Sequence, residues 1–412
     1  MSTLRPADYI VFFIYFIIVT CYGFYVYYRK KSKHTDSKDF FLAEGSLTWW
    51  AIGASLIASN ISAEQLIGMS GSGFALGLAI SSYEWIAAAT LIVVAIFFIP
   101  IYLKNKIYTM PQFLSLRYNN TVSTILAIFW LLVYVLINLT SIIYLGSLAI
   151  NSITSIPFGW CVVGLAVFAT IVTLGGMKVI GYTDVFQVLV LIVGGLVTVY
   201  LGLQMVSGHF GFGKNILKGF SLLMSKAPTH FHMILAKSNP YYKDLPGILI
   251  LVGGGMWINN FNYWGCNQYI IQRALGADLK TARKGILFAA FLKLLTPVIA
   301  VLPGIIVYVL YKEGLFHSAM NDVSGSAKPD HAYPTLLNLL PEGLKGLAFA
   351  ALIAAVVSSL AGKANSVSTI FSLDIYKKYF HKEATEKQLV RMGRWAVVIS
   401  MAIACLIVPS LR

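Results

Sequence analysis

Between Ala58 and Gln65 the chain sets Ser59, Asn60, Ser62, Glu64 and Gln65 within eight residues, and glycines follow at 68, 71 and 73. Hydroxyls, amides and backbone carbonyls are suited to holding a hard cation and part of a polar solute. A second polar cluster, Asn259-Asn-Phe-Asn-Tyr-Trp-Gly-Cys-Asn-Gln268, follows three glycines at 253–255. Glu84, Lys293, Ser358-Ser359 and Lys363 are further polar or charged residues inside apolar runs. Polar groups and helix breakers at membrane depth are costly unless they line a cavity or a site, and charges there are functional candidates by default. No metal cluster, nucleophile elbow or phosphate loop accompanies them, so the chemistry read here is binding, not catalysis.

The elements that must position these residues are apolar helices. The 412-residue chain is 58% hydrophobic and 11% charged, against roughly 25% charge in a soluble domain. Several runs reach the length that crosses a bilayer. Spans are read at about 8–28, 47–73, 78–103, 121–149, 157–176, 176–205, 246–269, 285–311, 343–366 and 389–409. Met110–Arg117 reads as a short amphipathic helix on the membrane, Trp49-Trp50 as an interfacial anchor, and 206–245 as a long polar loop with room for a surface helix. Cys21, Cys161, Cys266 and Cys405 form no CxxC pair and read as buried small hydrophobes.

The formal net charge of +15 belongs to loops rather than to a nucleic-acid surface. Alternate loops carry Arg29, Lys30, Lys31, Lys33 and Lys38; then Lys104, Lys106 and Arg117; then Lys178; then Arg273, Lys280, Arg283 and Lys284; then Lys377, Lys378, Lys382, Lys387, Arg391 and Arg394. By the positive-inside rule these face the cytoplasm, which puts the N-terminus outside a cell (inner) membrane. The second and seventh spans, the two interrupted ones, are an odd number of spans apart and cross in opposite directions. Paired broken helices of opposite orientation mark an inverted-repeat secondary transporter with its site at the midplane.

Beyond spacing, a set of local motifs resembles the sodium/solute symporter family, and within it the sodium-coupled galactose and glucose transporters. The motifs are Asn60-Ile-Ser-Ala-Glu-Gln65, Gly68-Met-Ser-Gly-Ser-Gly73, Ser82-Tyr-Glu-Trp85, Thr183-Asp184, Tyr263-Trp-Gly-Cys-Asn-Gln-Tyr-Ile-Ile-Gln-Arg273, Ala289-Ala-Phe-Leu-Lys293, Ser358-Ser359 and Asp374-Ile-Tyr-Lys377. The resemblance implies an all-α polytopic LeuT-type fold, a five-plus-five inverted repeat with an extra N-terminal helix. On that reading 8–28 is the extra helix, 47–205 the first repeat and 246–412 an incomplete second repeat, whose tenth core helix would follow Arg412.

The same resemblance implies roles. Sodium would be held by the carbonyls of Ala58, Ile61 and Ala355 and the hydroxyls of Ser358 and Ser359, with Asp184 on the ion's path to the cytoplasm. A monosaccharide would meet Gln65, Glu84, Asn260 and Lys293, with Met69 and Tyr83 as an outer gate and Tyr263 as the inner gate. Glu84 and Lys293 could also simply offset each other, and Asp184 could instead sit in a solvated turn. The implied activity is sodium-coupled import of a galactose- or glucose-type sugar by alternating access. The alternatives are inositol, sialic acid, an amino acid or another small solute, and a truncated non-transporting or sensor relative. Ala87 replaces a serine of the galactose transporter, which puts the sugar preference in question. Lys363 stands where close relatives have an apolar residue; snorkelling, bracing Asn365 or another helix, and facing an inner vestibule are all open to it. Partners are the solute, sodium and the bilayer; nothing in the sequence sets an oligomeric state.

Overall fold

The computed structural model describes residues 5–29, 37–43, 45–154, 156–243, 245, 253–321, 325–338 and 340–411. Lys30, Lys31 and Lys33 of the basic loop, the start of the seventh span at 246–252, and Arg412 lie outside the described residues. The first half contains α1 (Pro6–Arg29), α2 (Ser37–Leu42), α3 (Trp49–Asn60), α4 (Ala63–Leu76), α5 (Ser82–Val93), α6 (Ile99–Lys104), α7 (Met110–Arg117), α8 (Asn120–Leu132), α9 (Thr140–Thr154), α10 (Phe158–Leu174) and α11 (Gly176–His209). Next come α12 (Ile216–Lys226), α13 (Gly255–Phe261), α14 (Gln268–Leu275), α15 (Leu279–Ala300), α16 (Leu302–Lys312), α17 (Ala332–Asn338), α18 (Leu344–Ile370) and α19 (Glu386–Ile407).

Seven helical runs among the described residues are long and apolar enough to cross a membrane, and Phe158–Leu174 falls just short at 17 residues. One of the seven, Gln65–Lys104, joins two of the expected spans. Gly77 turns the chain between them at a φ of +74°, where a side chain would strain the backbone. Wide helical turns at Val94–Phe98 and Val133–Leu139 lie inside the third and fourth spans, Asn262–Cys266 ends its helix before the extended Asn267, and Phe371–Phe380 prolongs the ninth span.

Local chemistry accounts for several helix starts. The Ser62 hydroxyl accepts from the Gln65 N–H and restarts the second span. Thr109 with Gln112 and Thr385 with Gln388 form capping boxes that open α7 and α19. Asp278 accepts from the Lys280 and Thr281 N–H groups at the start of α15.

The centre of the protein is α18, almost wholly buried, with α1, α3, α10, α11 and α19 packed against it. The carboxylate of Asp8, near the start of α1, accepts from the N–H groups of Gly343 at 2.8 Å and Gly346 at 2.9 Å. The carboxylate thus fills the anion-favouring N-terminus of α18. It also sets the starts of the first and ninth spans at one face, as their odd-numbered places require.

Small residues let α4 and α16 approach each other. A Cβ on Gly304 would lie 1.9 Å from the Ser70 carbonyl oxygen, and one on Gly73 would lie 2.4 Å from that of Val301. Gly304→Ala should therefore lower stability by about 1–3 kcal/mol, the range for overpacking. A thermal melt of the purified protein checks it; an unchanged melt would mean that α4 and α16 do not touch in solution.

Several expectations are corrected. Lys178 and Arg273 are not loop cations. Lys178 pairs with Asp39 at 2.9 Å, and Arg273 is fully buried in α14. The ninth span does not end near 366, since the helix continues through its wide turn to Phe380. The sixth reaches His209 rather than about 205, and the loop after it holds α12, the surface helix that the sequence left room for. That loop returns to cap the C-terminal end of α4. There the His230 imidazole meets the Phe74 carbonyl at 2.9 Å and stacks on Tyr308. Cys21 is on the outward face of α1 rather than in the core.

Candidate functional site

The second span breaks where its carbonyls leave the helical ladder. The N–H of Ile61 bonds the Ile57 carbonyl, and Ile61 and Ser62 are then extended. The carbonyls of Ala58, Ser59 and Asn60 are thus at a helix end, where no further turn takes them. The Ser359 hydroxyl donates to the Ser59 carbonyl at 3.2 Å, which brings α18 to this break. Ala355 lies one turn before Ser359 on the same face of α18, and Ser358 is its neighbour.

Beneath these oxygens runs a buried polar network. Asp184 accepts from Ser358 at 2.5 Å and from the Ser55 hydroxyl. Arg273 donates to Ser55 at 2.6 Å, also reaches the Ser59 hydroxyl and the Tyr269 carbonyl, and lies 3.8 Å from the Asp184 carboxylate. Asp184 is only 1% exposed, so the solvated-turn alternative falls. Lys363 donates to the Ser359 hydroxyl at 3.0 Å and lies 4.6 Å from the centre of the Tyr269 ring. Asn365 instead reaches the Phe41 carbonyl, so Lys363 does not brace it.

The two interrupted segments meet head to tail. Asn60 at the end of α3 donates to the Tyr263 hydroxyl at 2.8 Å, while Ser55, earlier in α3, meets Arg273, later in the other segment. They therefore run antiparallel. Tyr269 donates to Tyr263, and the Tyr263 ring packs edge-on against Trp264 with centroids 5.0 Å apart.

On the α4 side of the break, Gln65 donates to Glu84 at 2.6 Å and approaches the Met69 sulfur at 3.6 Å. Lys293 forms an ion pair with the other Glu84 oxygen and lies over the Trp264 ring at 5.2 Å. Gln65, Glu84, Lys293 and the Tyr263–Trp264 pair thus form one continuous group. Asn260 is buried and donates to the Met256 carbonyl of its own helix at 2.9 Å. Tyr83 sits beside Glu84 in sequence and so points elsewhere around α5, with over a third of it exposed.

The donor set fits sodium. It consists of neutral hydroxyl and carbonyl oxygens, which a hard monovalent cation prefers, with the Asp184 carboxylate one hydrogen bond away through Ser358. Arg273, Ser55, Trp264 and Tyr269 are residues of this network to which sequence reasoning gave no role. For Arg273 the available signal was an arginine beside Gln272 in a segment of otherwise apolar residues.

A family model described as "Sodium:solute symporter family" matches residues 40–411. The chain belongs to the sodium/solute symporter family. It is similar to a sodium/glucose cotransporter of Vibrio parahaemolyticus, with 48% identity over 98% of this chain and 75% of that protein. It is also similar to sodium/myo-inositol cotransporter 2 of Oryctolagus cuniculus, 34% identical, and of Homo sapiens, 33% identical. The chain spans 62% of the length of each of those two. Among solved structures, a Na+-coupled sialic acid symporter in a substrate-bound outward-open state superposes with a TM-score of 0.85, at 21% identity. That match covers 99% of this chain and 82% of the other. The symporter's fold is therefore LeuT-type, and the family's coupling ion is sodium.

Proposed function

We propose that this symporter imports a galactose- or glucose-type monosaccharide together with sodium by alternating access, with its N-terminus outside the cell (inner) membrane. The observation that carries the reading is the Gln65–Glu84–Lys293 group beside the Ser59–Ser359 oxygens, where the two interrupted segments meet. Sodium would be held by the Ala58, Ile61 and Ala355 carbonyls and the Ser358 and Ser359 hydroxyls, and its charge would draw these helix ends together.

The sugar's hydroxyls both donate and accept, which suits the Gln65 and Asn260 amides, the Glu84 carboxylate and the Lys293 ammonium. Tyr263 offers a ring to the apolar face of a pyranose, and Met69 and Tyr83 would close the outer side. Residues 47–205 and 246–412 would be the two inverted repeats, with 8–28 outside them. Asp184 would lie on the ion's way to the cytoplasm. The similarity to myo-inositol cotransporters makes inositol the second solute to test.

Uptake of labelled galactose, glucose and myo-inositol into proteoliposomes, in sodium against choline, tests the reading. Sodium-dependent uptake of a hexose is expected, and uptake of inositol alone would move the substrate class. Gln65→Ala should raise the half-saturating solute concentration about tenfold, the effect of losing roughly one hydrogen bond to a charged or polar partner. It should leave sodium binding measurable. Unaltered solute kinetics would remove Gln65 from the site.

A further inference from the structure

Lys363 points at the oxygen cluster rather than away from it. Its side chain starts one helical turn after Ser359, and its ammonium returns along α18 to donate to the Ser359 hydroxyl at 3.0 Å. The Tyr269 ring covers it from the α14 side at 4.6 Å, a cation–π distance. The residue is 6% exposed, so water does little to screen the charge. Ser359 uses its own proton on the Ser59 carbonyl. A hydroxyl has two acceptor lone pairs, and Lys363 takes one of the pair that a cation would use.

We propose that Lys363 is a resident cation of the sodium site, which holds the Ser359 oxygen when sodium is absent and must withdraw from it when sodium binds. The inference rests on the sodium reading above. Two cations sharing one hydroxyl oxygen in a poorly screened environment repel strongly. Binding of sodium is thus an exchange of one positive charge for another, not an addition. Two consequences follow. The site is ordered before the ion arrives, because an ammonium already ties α18 to itself and to Tyr269. Sodium affinity is also lower than the oxygen set alone would give. The charge of Asp184 contributes little to relieving the clash, since the Arg273 guanidinium 3.8 Å away already offsets it.

The experiment measures radioactive sodium bound to the purified protein, and its melting temperature, as sodium replaces choline at fixed ionic strength. Lys363→Met is the first variant. Lys363→Gln is the second, neutral but polar, in case methionine does not fold there. Each should lower the half-saturating sodium concentration by about tenfold or more, through removal of a neighbouring charge. Each should also melt below the parent in choline, with the gap closing in saturating sodium.

Equal half-saturation in parent and Lys363→Gln, within about twofold, would overturn the inference while leaving the sodium reading intact. A neutral variant that binds sodium more weakly than the parent would also overturn it, since Lys363 would then be supporting the site. If neither protein binds sodium at all, the sodium reading fails and the inference falls with it.

Discussion

Lys293→Met should destabilise the symporter by about 3–5 kcal/mol, and adding Glu84→Gln should recover most of that loss. Both charges are buried, at 1% and 4% exposure, and they pair directly. Removing the ammonium leaves the Glu84 carboxylate in the interior with the Gln65 amide as the donor that remains from this group. An uncompensated buried charge costs far more than the pair contributes when intact. The double variant replaces both charges with neutral groups of similar length, and the amide oxygen introduced by Glu84→Gln can still accept from Gln65. Thermal melts of the parent, both single variants and the double variant form the cycle. A double variant no more stable than Lys293→Met would show that the two charges do not depend on each other. Solute binding should be lost in all three variants, because the exchangeable donors and acceptors of this group are what a sugar's hydroxyls would use.

The sequence shows the break near Asn60–Ala63 because polar residues interrupt an apolar run, and the helix end at Asn60 and restart at Ala63 fall there. It also names Glu84 and Lys293, since charges inside apolar spans stand out. Their pairing crosses 209 residues and needed the fold to become visible. Arg273 was misplaced for a related reason. It follows Tyr269-Ile-Ile-Gln and precedes Gly276, so by pattern it resembles a cytoplasmic anchor. Its actual environment is made by Ser55, Ser59 and Asp184, each distant in sequence. The positive-inside rule counts charges and carries no information on which of them turn inward. Lys363 is the converse case. Its partner Ser359 is only four residues away, yet whether the side chain follows its own helix back or snorkels outward depends on Tyr269, which comes from another element. The wide turn at 371–380 hid helix continuity, because its altered repeat shifts the apolar face that periodicity reads.

Asp184→Asn should cost about 3–5 kcal/mol and weaken sodium binding about tenfold or more. One Asp184 oxygen accepts from Ser358 and the other from Ser55, whose own oxygen accepts from Arg273. The carboxylate is therefore the acceptor end of two converging donor chains. An amide keeps an acceptor at one of these two positions and puts an NH2 donor at the other, so either Ser55 or Ser358 must turn its proton elsewhere. It also leaves the Arg273 guanidinium, fully buried, without the carboxylate that stands 3.8 Å away. Arg273→Gln in the same chain removes that stranded charge and should restore part of the stability. It should not restore sodium affinity, because the amide would still offer Ser55 and Ser358 only one acceptor position. The two readouts therefore separate. If Asp184 served packing alone, the double variant would recover the melt, and its half-saturating sodium concentration would equal the parent's. If the carboxylate instead holds the Ser358 hydroxyl with its lone pairs turned toward the Ser59 and Ser359 oxygens, the stability returns in part and the sodium response stays weak.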